Sequence, residues 1–147
     1  MKIILKSLLV FGIFLSSLIA GDLPVKNQDV SPQQLQKQNK EIAQLVATEL
    51  SKTLPKKIDK YTILNSVKAK DSNLIYTFEI NTGAKSDETV RKEDKTRMKT
   101  AITNGVCRSS KRFMDAQVVI TYLYISSTSK EELFRFDIKQ SDCPRAY

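Results

Sequence analysis

The strongest strand pattern in the chain is QVVITYLYI, residues 117–125. Strands favour its β-branched and aromatic side chains. A polar turn at residues 126–130 separates it from LFRFDI, residues 133–138, in which apolar and charged residues alternate. This period of two is expected of a strand with one buried face. The two runs predict a β-hairpin near the end of the chain.

A second hairpin is predicted earlier in the chain. Apolar residues alternate along residues 61–67 and 74–80, and a polar, turn-rich stretch at residues 68–73 separates the two runs. In the first run the alternation predicts one common face, made of Tyr61, Ile63, Asn65 and Val67.

A helix is predicted before each hairpin. Ser31 can cap the first helix, Pro32 suits its first position, and Pro55 ends it. The second helical region runs from Val90 to about residue 114 and includes Gly105, a candidate interruption. The apolar residues expected to pack the first helix on a sheet are Leu35, Ile42, Leu45, Val46 and Leu50.

This order of elements predicts the fold class. Helix, hairpin, helix, hairpin favours an α+β two-layer sandwich, with a four-stranded antiparallel sheet and two helices on one of its faces. The strand order is left open. We expect one domain, residues 31–147, after a flexible lead-in at residues 21–30.

Residues 1–20 have the pattern of a signal peptide. Lys2 and Lys6 precede a mostly apolar run, residues 7–20, which is too short to span a bilayer comfortably. A cleaved signal predicts a periplasmic or secreted protein without a transmembrane segment. The alternative is that the segment is retained as an N-terminal anchor helix.

Two cysteines, Cys107 and Cys143, lie 36 positions apart. In an exported protein they predict a disulfide, which would tie the end of the second helix to the end of the last strand. A redox-active thiol is the other interpretation. It lacks support, because the chain has no Cys-x-x-Cys motif and no histidine to lower a thiol pKa.

The composition argues against most catalytic machinery. The 147 residues include no histidine, which removes His-based acid–base chemistry, the common nucleophilic triads and the usual zinc centres. Four glycines make a phosphate-binding loop implausible. The carboxylates Glu131, Glu132 and Asp137 show no pattern that would bring them together. We therefore expect no enzyme, no cofactor and no metal.

Basic residues concentrate around the second helix. Arg91, Lys95 and Lys99 are spaced to form one helical stripe, and Glu88, Glu93 and Asp94 reduce its charge. The cluster either binds an anionic partner, such as a lipid or polysaccharide, or is a solvated helix face. Export argues against nucleic acid as the partner. The full cluster is Arg91, Lys92, Lys95, Lys99, Arg108, Lys111 and Arg112.

Tyr122 and Tyr124 share one face of the predicted strand 117–125. An exposed aromatic pair could stack on a sugar or a base. The alternative is that both tyrosines belong to the core or to cross-strand pairs.

The C-terminal half resembles a group of small, uncharacterised exported bacterial proteins. The resemblance spans about residues 60–143. It consists of Cys107, Arg112, the Tyr-x-Tyr of residues 122–124, a short turn, the apolar strand 133–138 and Cys143. The group usually has a glycine in the last turn, where this chain has Ser-Thr-Ser-Lys, so a bulged hairpin is one expectation. The resemblance implies an exported α+β domain with one disulfide and supplies no activity.

Together these patterns favour a non-enzymatic, periplasmic or secreted interaction module. Its expected partner is a protein of the cell envelope, and it could serve as an accessory to an envelope assembly. The alternative is a binder of anionic lipid or polymer through the basic residues 91–112.

Overall fold

The computed structural model describes residues 31–144. The predicted signal peptide and lead-in, residues 1–30, and residues 145–147 lie outside the described part. Within residues 31–144, no helix has the length and apolar character needed to cross a membrane.

The described chain forms four α-helices and five strands. In chain order they are α1 (Pro32–Ser51), β1 (Lys56–Lys57), β2 (Thr62–Lys70), β3 (Asn73–Ile80), α2 (Asp87–Lys92), α3 (Thr96–Ser109), α4 (Lys111–Asp115), β4 (Val119–Ser126) and β5 (Glu132–Ile138). A single 3-10 turn, Gln140–Asp142, follows β5.

The strands form one sheet in the order β1-β2-β3-β4-β5. β3 and β4 are parallel, and the other neighbours are antiparallel. The α+β class and both hairpins are confirmed, but the four-stranded antiparallel sheet is wrong. Helices α2, α3 and α4 carry the chain back to the end of the sheet at which β3 begins, so β4 runs in the direction of β3. β1 adds a fifth strand that the sequence analysis did not predict.

The helices pack on one face of the sheet. Ala69, Leu74, Ile120 and Ile138 are register partners across four neighbouring strands and therefore share a face. On this face Leu74 clusters with Ala47 of α1. Ile120 and Ile138 cluster with Val106 of α3 and Met114 of α4. The predicted two layers are therefore present, but the expected second helix is three helices, α2, α3 and α4, and Gly105 does not interrupt α3.

Helix α1 begins as its sequence predicts. The side-chain oxygen of Ser31 accepts a hydrogen bond from the backbone N–H of Gln34 at 3.2 Å, and Pro32 is the first helical residue. The face that α1 buries differs from the expected one, because Asn39, Ala43 and Ala47 are the buried residues.

The large apolar residues of α1 lie beside this buried face or away from it. Leu45 is 63% exposed, and Leu35 and Leu50 are each 37% exposed. The small side chains of Ala43 and Ala47 allow the helix to lie close to the sheet. Of the residues expected to pack α1 on the sheet, Val46 does so, whereas Leu45 lies on the outer side.

A β-bulge in β2 changes which of its residues face the helices. The register shifts between Leu64 and Ser66, so Asn65 is an extra residue. Leu64 pairs with Phe78 on the helix face, whereas Ile63 pairs with Glu79 on the other face. The predicted common face of Tyr61, Ile63, Asn65 and Val67 is therefore wrong. A second register shift, between Tyr124 and Ile125, gives the last hairpin the bulge that its turn sequence suggested.

The predicted disulfide is confirmed. Cys107 of α3 and Cys143, which follows the 3-10 turn, are joined with their Cα atoms 5.5 Å apart. Cys143 also packs against the core cluster of Val106 and Ile138. The bridge therefore holds α3 against the end of β5.

Candidate functional site

A row of six aromatic rings crosses the helix face of β3, β4 and β5. Tyr76 stacks on Tyr122 with ring centroids 5.4 Å apart, and Phe78 lies 5.2 Å from Tyr122 and 4.9 Å from Tyr124. The row continues through Phe134, 4.7 Å from Tyr124, to Phe136. Alternation along three neighbouring strands brings these rings together, since each strand places every second residue on this face.

The two tyrosines singled out from the sequence belong to this row. Tyr124 is 5% exposed and lies in the core, whereas Tyr122 is half-buried. Burial raises the pKa of Tyr76, Tyr122 and Tyr124 above the usual tyrosine value. All three phenols are therefore neutral at physiological pH, and they provide an apolar surface rather than a base.

Half-buried apolar side chains of α1, β2 and α3 pack against the core clusters on this face of the sheet. Val46 of α1, Leu64 of β2 and Tyr76 pack against one core cluster, while Met98 and Ile102 of α3 pack against another. Tyr76 contacts all three clusters of the core. We call this set the apolar strip, and its members are Val46, Leu64, Tyr76, Met98, Ile102 and Tyr122.

The apolar strip leads into a cavity of about 580 Å³, which we call the end cavity. Its apolar lining includes Tyr61, Ile80, Val90, Met98 and Phe134. Ile80 is the last residue of β3, so the cavity lies at the carboxyl end of a parallel strand, a common location for ligand sites. Its volume is within the usual range for pockets that bind small molecules or anchoring side chains.

Charged residues at the rim of the end cavity are largely engaged with each other. Lys85 Nζ lies 2.6 Å from a carboxylate oxygen of Glu93, and this hydrogen bond lowers the pKa of Glu93. Hydrogen bonds from Thr96 lower the pKa of the neighbouring Asp94. Both acids are therefore ionised at neutral pH. The rim is polar and the interior is apolar.

Lys95, a member of the predicted basic cluster, also lines the end cavity. Its ammonium group donates hydrogen bonds to the backbone carbonyls of Val90, Arg91 and Glu93, at the end of α2. It also lies 4.8 Å from the centre of the Phe134 ring. Lys95 thus caps a helix and covers an aromatic ring, rather than extending into solvent.

Several other members of the basic cluster form ion pairs. Arg91 pairs with Glu131 at 2.9 Å, Lys92 with Glu88 at 2.6 Å, and Lys111 with Asp115 at 2.6 Å. Arg108 donates from Nε to the carbonyl of Asn104. Within residues 31–144, Lys99 and Arg112 take part in no ion pair. The positive charge of this segment is therefore substantially reduced by its own neighbours.

No catalytic arrangement emerges from the residues that the structure describes. Both cysteines are used in the disulfide. In the described part of the chain, no group of three Cys, Asp or Glu residues is placed to hold a metal ion. A second cavity, of about 550 Å³, lies beside Cys143, and its lining includes the Lys111–Asp115 ion pair. The chemistry available at the end cavity is therefore apolar contact.

The end cavity was not predicted from the sequence. Four separate segments build it: the start of β2, the loop after β3, α2 with the start of α3, and β5. Alternation in residues 133–138 placed Phe134 on a buried face, which was one available signal. Nothing in the sequence showed that this face remains half open at the end of the sheet.

Comparisons with known proteins identify the fold. No protein-family model matches the chain, and no curated protein matches it. A candidate secreted protein of Pseudomonas aeruginosa has a similar structure, with a TM-score of 0.67 and 13% identity over 75% of this chain and 96% of that one.

Two proteins of secretion systems have the same fold. The pilotin EpsS of the Vibrio vulnificus type 2 secretion system has a TM-score of 0.63 and 11% identity, over 78% of this chain and 99% of that one. The type II secretion pilotin AspS of Vibrio cholerae has a TM-score of 0.56 and 18% identity, over 76% of this chain and 97% of that one. At these identities the likeness shows the fold alone.

Proposed function

We propose that this chain is a non-enzymatic accessory protein of a bacterial cell-envelope assembly, exported to the periplasm or beyond. In this role it holds an apolar segment of a partner protein. The observation that carries the proposal is the apolar strip that leads into the end cavity, on a fold shared with two type II secretion pilotins.

The chemistry of the site suits a peptide segment. Its floor is aromatic and neutral, because phenols titrate near pH 10 and burial raises the pKa of Tyr76 and Tyr122 further. Buried aromatic and apolar anchors surrounded by a polar rim are typical of protein–protein contacts. An apolar side chain of the partner would enter the end cavity, and its neighbours would lie along the strip.

The disulfide supports the same proposal. The bridge joins α3 to the segment that follows β5. Met98 and Ile102 belong to α3, and Phe134 belongs to β5. A preformed site binds with a smaller entropy cost than one that must be ordered. A disulfide also suits an oxidising compartment outside the cytosol.

Site-specific crosslinking in cells of the source bacterium tests the proposal. A photo-crosslinking amino acid at Ala84, on the lining of the end cavity, should capture one partner protein, which mass spectrometry then identifies. The same amino acid at Leu45, 63% exposed on α1, is the control and should capture none. Equal capture at both positions, or at neither, would contradict the proposal.

A pair of variants separates binding from folding. Met98→Glu places a charge between the strip and the end cavity, so capture through Ala84 should fall at least tenfold, as expected for loss of an apolar anchor. Leu45→Glu adds the same charge elsewhere and should leave capture unchanged. Circular dichroism must show that both variants are folded.

A further inference from the structure

An edge hairpin, residues 56–63 with the sequence KKIDKYTI, forms one side of the sheet. It contains three exposed lysines: Lys56, Lys57 and Lys60. Within residues 31–144, none of the three takes part in an ion pair. Lys60 Nζ lies 5.2 Å from the centre of the Tyr61 ring, and all three lysines are exposed to solvent.

The same eight residues expose large apolar side chains. Ile58 is 50% exposed, Tyr61 is 55% exposed and Ile63 is 42% exposed. In the described part of the chain six large apolar side chains are exposed, and half of them lie in the edge hairpin. Tyr61 lines the end cavity and Ile63 lies on the sheet face away from the helices, which leaves Ile58 as the exposed apolar residue next to Lys57.

The one acid of the edge hairpin, Asp59, is exposed and bonded to the backbone of the turn. Asp59 Oδ1 accepts hydrogen bonds from the backbone N–H groups of Tyr61 at 2.7 Å and Thr62 at 2.8 Å. These bonds fix the conformation of the turn. The hydrogen bonds lower the pKa of Asp59, so the edge hairpin carries three positive charges and one negative charge.

The adjoining strand extends the positive surface. Lys68 and Lys70 of β2 are exposed and, among the described residues, form no ion pair. The nearby Asp71 pairs with Lys40 at 3.5 Å. Lysines on an edge strand also prevent strand-to-strand aggregation, but that role does not require an exposed Ile58.

We propose that the edge hairpin contacts the surface of a bilayer that contains anionic phospholipid. Lysine ammonium groups would lie among the phosphates, and the exposed side chain of Ile58 would enter the interfacial region. This contact needs no protein partner and is independent of the proposed function. It lies outside the predicted basic residues 91–112.

Vesicle co-sedimentation tests the contribution of charge. The full chain should bind vesicles of phosphatidylcholine with phosphatidylglycerol more tightly than phosphatidylcholine alone, and high salt should weaken the binding. Lys56→Gln with Lys57→Gln should reduce binding by about 30-fold, or about fivefold per lysine. Every variant carries residues 1–20, so their contribution is the same throughout.

The matched control removes the same charge from the predicted basic cluster. Lys99→Gln with Arg112→Gln should leave vesicle binding within about twofold of the wild type, since charge far from the surface is screened. Loss of binding in this control while the Lys56/Lys57 variant still binds would overturn the proposal. So would equal binding to neutral and anionic vesicles.

Tryptophan fluorescence tests the insertion of the apolar residues. The chain contains no tryptophan, so Ile58→Trp, at a position outside the lining of the end cavity, introduces a single reporter. Its emission should shift to the blue on anionic vesicles, and brominated lipids should quench it. Leu45→Trp, on the outer side of α1, should show neither change. The reverse pattern, or no response from either variant, would refute insertion of the edge hairpin. Partner capture through Ala84 should be unaffected by these changes, so the two proposals can fail separately.

Discussion

Asn39, near the middle of α1, donates a hydrogen bond from its side-chain amide to the backbone carbonyl of Ala116, 77 residues further along the chain. Asn39 is 5% exposed, so this polar contact lies inside an otherwise apolar interface. It joins the first helix to the segment that leads into β4. The position of α1 on the sheet thus depends on a specific polar contact as well as on apolar packing.

Loss of this hydrogen bond should destabilise the protein. Asn39→Ala leaves the part-buried carbonyl of Ala116 without this partner, and the free energy of unfolding should fall by about 1–3 kcal/mol. Urea denaturation measures the change. Asn104→Ala, at an exposed position of α3, is the control and should change stability by no more than about 0.5 kcal/mol. Equal effects of the two substitutions would contradict a stabilising role for the hydrogen bond between Asn39 and Ala116.

The close approach of α1 to the sheet should make Ala43 intolerant of larger residues. Ala43 is 0% exposed, so Ala43→Leu would force the helix away from the sheet and destabilise the fold by about 1–3 kcal/mol. Leu45→Ala, two positions along, should cost no more than about 0.5 kcal/mol because Leu45 is largely exposed. Thermal unfolding of both variants provides the comparison, and a neutral Ala43→Leu would show that α1 packs loosely.

Lys95 should contribute to stability, unlike its neighbour on the predicted basic stripe. Lys95→Ala removes hydrogen bonds to three carbonyls and the contact with Phe134, and should lower the free energy of unfolding by about 1–2 kcal/mol. Lys99→Ala should have almost no effect. Chemical denaturation distinguishes the two, and equal losses would mean that general charge, rather than capping of α2, is responsible.

Removal of the disulfide should destabilise the protein strongly. Cys107→Ser with Cys143→Ser opens a 36-residue separation, for which loop-closure entropy predicts a loss of about 3–4 kcal/mol. Denaturation of the oxidised protein, the reduced protein and the double variant measures it. The reduced protein and the double variant should agree, and a stability equal to that of the oxidised protein would show that the bridge has no role in folding.

Alkaline pH should unfold the protein through its buried tyrosines. Burial raises the pKa of Tyr76, Tyr122 and Tyr124, while in the unfolded chain tyrosines titrate near pH 10. The folded state therefore binds more protons above this pH. The contribution of these tyrosines to the free energy of unfolding is complete below about pH 10 and is lost as the pH rises further.

The urea midpoint, measured at several pH values above about pH 10, gives the slope of stability against pH. Tyr124→Phe removes one of the titrating groups and should make the fall less steep. A midpoint that is constant up to about pH 12 would contradict the burial of these phenols.

Local signals predicted the local structure correctly. Ser31 and Pro32 marked the start of α1, alternation in residues 117–125 and 133–138 marked the last hairpin, and cysteine count and compartment predicted the disulfide. Each signal acts over a few residues or, for the cysteines, requires no knowledge of the path between them.

Errors arose where distant segments decide the outcome. Nothing local in β3 or β4 specifies that they pair in parallel, since the intervening helices set the direction. Because Asn65 is an extra residue, the residues of β2 before it face the opposite way from the predicted alternation. Its residue type did not mark it as a bulge. The buried side of α1 carries the small residues Ala43 and Ala47, and the spacing of large apolar residues did not single them out.

The candidate site was predicted only in part. Phe134 and Phe136 were placed on a buried face, and Tyr122 and Tyr124 were placed together, but the end cavity was not foreseen. Basic residues such as Arg91 and Lys111 were visible as charge, whereas their partners Glu131 and Asp115 became evident only in the structure. The sequence shows which charges exist, and the fold decides which of them form ion pairs.

The parallel pairing of β3 with β4 has a consequence for the order of folding. The chain reaches β4 only after residues 81–118, so α1 and the first hairpin are complete well before their central neighbour is available. Until then β3 presents an unpaired edge and Leu74 lacks its partner Ile120. Such long-range pairing slows folding and leaves apolar surface open to aggregation. During this interval the exposed edge of β3 is the part of the sheet most open to pairing with another chain.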